Sequence, residues 1–117
     1  MLRQVTLAAI VVALAALSPL SSAPAHSKPA AKTYTVLIRG FQFVPQRLEV
    51  EAGDTVIWKN EDIVPHTATA RKVFDSKKLD QGQSWSYVAK KKGTHPYICL
   101  YHPTMAGELV INESRAK

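Results

Sequence analysis

Cys99, His102 and Met105 stand at strict three-residue steps in the run Tyr97-Ile98-Cys99-Leu100-Tyr101-His102-Pro103-Thr104-Met105. Cys99 is the only cysteine of the 117-residue chain. His66, preceded by Pro65, lies further upstream. One thiolate, two imidazoles and one thioether make the mixed donor set of a blue electron-transfer copper site. Such a site passes electrons one at a time and catalyses nothing. Its geometry requires a turn that wraps positions 99, 102 and 105 round one centre, with His66 delivered from elsewhere in the fold.

The elements that must position these residues read as short strands. Tyr34-Thr35-Val36-Leu37-Ile38-Arg39 has strand composition, Phe41 and Phe43 alternate with Gln42, and Leu48-Glu49-Val50-Glu51 alternates again. Ala52-Gly53-Asp54 turns into Thr55-Val56-Ile57-Trp58, and Gln81-Gly82-Gln83 turns into Ser84-Trp85-Ser86-Tyr87-Val88. Gly93 opens the segment that reaches Cys99, and Gly107-Glu108-Leu109-Val110-Ile111 ends the fold. Apart from the N-terminal apolar run, no stretch has helical periodicity long enough to compete. The pattern predicts an all-β Greek-key sandwich of about seven or eight strands. Its expected core is Phe41, Phe43, Val50, Val56, Trp58, Phe74, Leu79, Trp85, Tyr87, Tyr97, Leu109 and Ile111. The two-residue period puts Tyr97 and Cys99 on one face, screened from water.

The first residues read as a processing signal. Arg3 supplies a positive start, Val5 to Leu17 is almost wholly apolar, and Ala23-Pro24-Ala25 fits a small-x-small cleavage pattern. The apolar run is too short to span a bilayer core of about 30 Å comfortably. Three segments are therefore expected: a signal peptide over 1–25, a flexible mature N-terminus over 26–32, and one domain over 33–117. Cleavage after Ala25 removes Met1 and leaves Met105 as the only methionine. Export permits disulfides, yet one cysteine cannot close an internal one. A free thiol in an oxidising compartment is chemically vulnerable, and ligation to a metal in a protected pocket resolves the conflict.

The chain carries 15 Lys and Arg against 9 Asp and Glu, a formal charge of +6. Basic residues cluster as Arg71-Lys72, Lys77-Lys78 and Lys90-Lys91-Lys92. Such clusters steer a protein toward an acidic redox partner or an anionic membrane surface, or they simply solvate its face. Lys90-Lys91-Lys92, the longest run, is the first candidate for steering. Nucleic-acid binding is disfavoured, since no zinc-finger, RNA-recognition or helix-turn-helix pattern accompanies the charge.

From about Tyr34 to Glu113 the chain resembles a cupredoxin, most closely the amicyanin-like group. The resemblance rests on Phe41-x-Phe43-x-Pro45, Gly53-Asp54-Thr55-Val56-x-Trp58-x-Asn60-x-Asp62, Pro65-His66, Phe74-Asp75-Ser76 and Leu79-x-x-Gly82. It closes on Gly93-Thr94-x-Pro96-Tyr97-x-Cys99-x-x-His102-Pro103-x-Met105-x-Gly107, whose ligand loop has the shortest spacing of the family. The resemblance implies His66, Cys99 and His102 as strong ligands of one type 1 copper ion, with Met105 as the weak axial ligand. It implies a soluble, monomeric periplasmic electron carrier. Its partners would be transient: an amine dehydrogenase-like or other donor, and a c-type cytochrome or oxidase-type acceptor. Electrons would pass through the His102 imidazole, ringed by Pro65, Leu100, Pro103 and Ile63.

Two positions depart from the family pattern. Thr67 stands where many members have an asparagine that ties the two ligand loops, and its reach is shorter. His95 shares the Cys99 face, four residues away, and reads as a satisfied, partly buried histidine rather than a fifth ligand. His26, at the expected mature N-terminus, has no second histidine nearby in sequence to complete a chelate. A periplasmic copper carrier or chaperone is the alternative function, although such proteins usually offer open or methionine-rich sites. A copper enzyme would need a second copper or an open coordination position.

Overall fold

A computed structural model describes residues 8–22 and 29–115 of the chain. Residues 8–22 form neither helix nor strand, and Ile10, Leu14 and Leu17 stand exposed. No helix among the described residues is long and apolar enough to cross a membrane. The expected cleavage point at Ala25-His26 lies outside the described residues.

The described strands are β1 Thr33–Arg39, β2 Gln42–Val44, β3 Arg47–Glu51, β4 Thr55–Asn60, β5 Thr69–Ala70, β6 Phe74–Asp75, β7 Ser84–Val88, β8 Gly93–Ile98 and β9 Ala106–Asn112. They form two sheets, in the orders β2-β1-β4-β7 and β3-β9-β8-β5-β6. The fold is the expected all-β sandwich of Greek-key type. Its nine strands slightly exceed the expected count because tight turns at Gly40-Phe41 and Arg71-Lys72 divide the chain into very short pieces. β1 runs parallel to β4, and β3 parallel to β9. Parallel neighbours cannot be joined by a hairpin, so the chain crosses between the sheets at Pro45-Gln46 and again at Ala52-Gly53-Asp54.

The longer strands of the core bury alternate residues, as the two-residue period demands. β1 turns Val36 and Ile38 inward, β4 turns Val56, Trp58 and Asn60 inward, and β9 buries Leu109 and Ile111. Trp58 lies at the centre, 4.9 Å from the Phe74 ring centroid and 5.6 Å from Tyr97. Phe43 closes on Tyr97 from the other side at 4.6 Å. Burial pushes the Tyr97 phenol up to about 12, so the ring stays neutral. Gly107 is required opposite it, because a Cβ there would collide with the Tyr97 ring. Trp85 and Tyr87 are only partly buried, and pack on the core from its margin.

Phe41 departs from its expected place in the core: it is 51 % exposed. Alternation with Phe43 fails because Phe41 is not in a strand. Arg39 pairs with Gln42, which leaves Gly40 and Phe41 as a two-residue hairpin turn, both with φ of 59°. A turn with two positive φ angles matches the strand twist, but a phenylalanine pays a steric penalty there. The Asp62 carboxylate offsets that cost by accepting the Gly40 N–H at 2.7 Å and the Phe41 N–H at 2.9 Å.

The strand directions give the sandwich two distinct ends. β1, β4 and β8 finish at the end that carries His66, Cys99 and His102. Lys90-Lys91-Lys92 precedes β8 and lies at the opposite end. At about 3.3 Å per residue, Gly93 is about 20 Å from Cys99 along the strand. The longest basic run is therefore remote from the candidate site, which corrects its standing as first candidate for steering.

Candidate metal centre

His66 is set by the loop between β4 and β5. Its backbone exchanges hydrogen bonds with Leu79, N–H to O at 3.1 Å and O from N–H at 2.8 Å. Asn60, fully buried at the end of β4, donates its amide to the carbonyls of Val64 and Leu79 at 2.9 and 2.8 Å. Its side-chain oxygen accepts the Asp62 N–H at 2.9 Å. One buried amide thus fixes both sides of the His66 loop. Buried polar groups persist when so satisfied.

The three-residue steps of the β8–β9 loop now have a structural cause. The His102 N–H reaches the Cys99 carbonyl at 3.3 Å, and the Met105 N–H reaches the His102 carbonyl at 2.8 Å. Two successive i to i+3 turns therefore curl the loop, and Cys99 N–H to Met105 O at 3.0 Å closes it. Cys99 is fully buried and Met105 nearly so, while His102 keeps partial exposure.

The loops bring the ligand atoms of His66, Cys99 and His102 within 4.8 Å of one another. Cys99 Sγ lies 3.6 Å from His66 Nδ1 and 3.7 Å from His102 Nδ1. These separations can be tested against a metal. An ion bound about 2.0 Å from nitrogen and about 2.3 Å from sulfur, at trigonal to tetrahedral angles, holds those atoms about 3.5–3.7 Å apart. The residues fit. Their donor set is that of type 1 copper, and the cluster supports a single copper ion as the cofactor.

The outer contacts are equally ordered. His66 Nε2 meets Asp62 Oδ2 at 2.8 Å, which directs its proton there and leaves Nδ1 facing the sulfur. Burial works to raise the Asp62 pKa, but the Phe41 and Gly40 N–H groups and His66 outweigh it, so the carboxyl lies below its usual range. The Thr67 N–H points at Cys99 Sγ at 3.3 Å, and Thr67 Oγ1 accepts the Leu100 N–H at 2.9 Å and the Thr69 hydroxyl at 3.0 Å. Thr67 therefore ties the two ligand loops together despite its short reach. His95 is buried and bonds the Lys91 carbonyl through Nε2 at 2.7 Å, the satisfied role expected of it.

Two residues in contact with the cluster escaped sequence reasoning. Phe41 sets its ring edge-on to both imidazoles, 5.2 Å from His66 and 5.0 Å from His102. Asp62 links the Phe41 turn to His66 in one carboxylate. Only the Asp62-to-His66 spacing of four residues hinted at the contact. Ile63, Leu100, Phe41 and Tyr101 are exposed apolar residues at this end, and Pro65 and Pro103 are exposed with them.

A family model described as cupredoxin-like domain matches residues 6–111. Amicyanin-alpha of Methylorubrum extorquens is 29% identical over 106 residues, covering 86% of this chain and 84% of that protein. Amicyanin of Paracoccus versutus is 24% identical over 87 residues, 69% of this chain and 66% of that protein. A structure of a copper(I) amicyanin variant superposes with a TM-score of 0.65 at 27% identity, covering 68% of this chain and 82% of that one. The chain belongs to the cupredoxin-like domain family, in its amicyanin-like group. Site and family together define a copper-binding electron-transfer protein.

Proposed function

We infer that the chain is a periplasmic one-electron carrier, with His66 Nδ1, Cys99 Sγ and His102 Nδ1 as the strong ligands of its copper and Met105 as the weak axial one. The observation that carries this reading is the convergence of two imidazole nitrogens on one buried sulfur. Bound copper would supply the one-electron couple. The protein's own residues do the rest. Asn60 and Asp62 fix the His66 ring, and Thr67 steadies the sulfur with a backbone N–H. Ligands fixed in this way hold both oxidation states in nearly one geometry, so little rearrangement accompanies transfer. Fully buried Cys99 favours carriage of electrons over delivery of the metal.

His102 is the partly exposed member of the cluster, among exposed apolar neighbours. A small apolar surface suits the brief, low-area contacts of redox pairs. By the amicyanin-like resemblance, the donor would be an amine dehydrogenase-like or other redox protein, and the acceptor a c-type cytochrome or an oxidase-type protein. Residues 1–25 act as the export signal on this reading, and the mature domain works as a monomer.

The test is spectroscopic. The copper(II) protein should be intensely blue through thiolate-to-copper charge transfer. Cys99→Ser should abolish the colour, while Met105→Leu should keep it and shift the reduction potential. A colourless copper(II) protein, or colour retained without Cys99, would end the reading.

A further inference from the structure

We propose that the tip of the β5–β6 hairpin, Arg71-Lys72, together with the groove between it and Leu100, is the docking surface for an acidic redox protein. The proposal rests on the electron-carrier reading and adds where the partner sits. Three basic clusters stand in the sequence, and the fold sorts them. Lys77 pairs with Asp75 at 3.1 Å, and Lys78 lies 3.6 Å from Asp80. Lys92 pairs with Glu113 at 2.7 Å, and the whole 90–92 run is at the end remote from Cys99. Arg71 and Lys72 are exposed, and among the described residues neither has an ion-pair partner. Lys32, Lys59, Lys90 and Lys91 are also without ion pairs, but Lys59 stands singly on the other sheet and the other three lie at the end remote from Cys99.

Position completes the case. Thr69 pairs with Ile98, so the antiparallel register sets Arg71 near Pro96, about three residues or 10 Å below Cys99. A groove of about 300 Å³ runs along this face, lined by Thr69, Arg71, Pro96, Tyr97, Ile98 and Leu100. Its lower end is cationic. Its upper end is Leu100, which is half exposed and covalently joined to Cys99. A protein that places a carboxylate against Arg71-Lys72 and an apolar side chain in the groove comes to rest one residue from the buried sulfur. The concave shape favours a protruding protein surface over a flat layer of lipid headgroups. Charge steering of this sort raises association rates by about 10- to 1,000-fold.

The experiment uses two charge reversals of equal size, Arg71→Glu/Lys72→Glu and Lys90→Glu/Lys91→Glu. The probe is cytochrome b5, an acidic haem protein whose ferrous form gives one electron to the copper(II) protein. At 0.1 M salt, charges beyond about 10 Å are screened. The 71/72 reversal should then slow the second-order rate about tenfold, and the 90/91 reversal less than twofold. Amide shifts of the copper(I) protein should move at Arg71, Ile98 and Leu100 when oxidised cytochrome b5 is added, and not at Lys90. Equal loss in both variants, or none in either, would overturn the proposal. Shifts at Arg71 with phosphatidylglycerol vesicles but not with cytochrome b5 would overturn it in favour of a membrane surface. Hexacyanoferrate separates the two readings: a wild-type protein that exchanges no electron even with this small complex fails as a carrier, whatever its docking face.

Discussion

Each end of the sandwich holds a carboxylate, fully buried at one end and partly exposed at the other, and the two are used differently. At the far end Asp54 is 1% exposed and accepts the Lys32 N–H, the Glu51 N–H and the Arg115 guanidinium, at 2.9, 2.9 and 2.7 Å. Arg115 also meets Glu51 at 2.8 Å. This carboxylate clasps the start of β1, the turn after β3 and the C-terminal segment. At the other end Asp62 gathers the Gly40 and Phe41 N–H groups and the His66 ring. One carboxylate closes a fold; the other orients the His66 ring of the candidate copper site. The difference teaches that a satisfied carboxylate is not by itself a sign of function, and that what it holds decides.

The largest expected effect tests whether the site end depends on metal for its shape. Copper binds the folded site and little of the unfolded chain, so free metal at 1,000 times its Kd should stabilise the protein by about 4 kcal/mol. The apo protein should nonetheless keep its sheet, since Trp58, Tyr97 and their neighbours pack without the ion. Scanning calorimetry and circular dichroism check both halves, and a random-coil apo spectrum would contradict the second.

Next comes the far end. Asp54→Ala should destabilise the apo protein by about 2–3 kcal/mol, because it leaves two backbone donors without an acceptor and removes one of the two carboxylates that hold Arg115. The blue spectrum of the folded fraction should not change. The same residue sets an acid limit. Burial works to raise the Asp54 pKa, but the Arg115, Lys32 and Glu51 hydrogen bonds prevail and hold it at about 2. A folded pKa below the unfolded value gives stability that is present above about pH 4 and lost as pH falls toward 2. The apo melting temperature should fall across that window, and fall less in Asp54→Ala.

Asp62→Ala should give the reverse pattern. It should lower copper affinity by about 10- to 100-fold, the usual cost of losing a carboxylate behind a ligating imidazole. It should also alter the blue band, as the His66 ring and the Phe41 turn loosen together. Competition with a chelator measures the first effect and absorption the second. Unchanged affinity would reduce Asp62 to a turn brace and erase the contrast between the ends.

The sequence by itself determined the strands, most of the core and the residues that could form a copper site. Alternation of apolar residues reads directly as a half-buried strand, and Cys-x-x-His-x-x-Met reads as consecutive turns, because both signals are local. Phe41 was misplaced for the same reason: a period-two pattern continues on paper through a turn that breaks it in space. Tertiary structure alone brought His66 beside Cys99, joined Asp62 to the Gly40-Phe41 turn, and sent Lys90-Lys91-Lys92 to the far end while leaving Arg71-Lys72 unpaired beside the groove. These facts depend on which strands lie next to each other and in which direction they run. Short-range patterns carry no information on that, since it is fixed only when the two sheets close over Trp58 and bury their shared face.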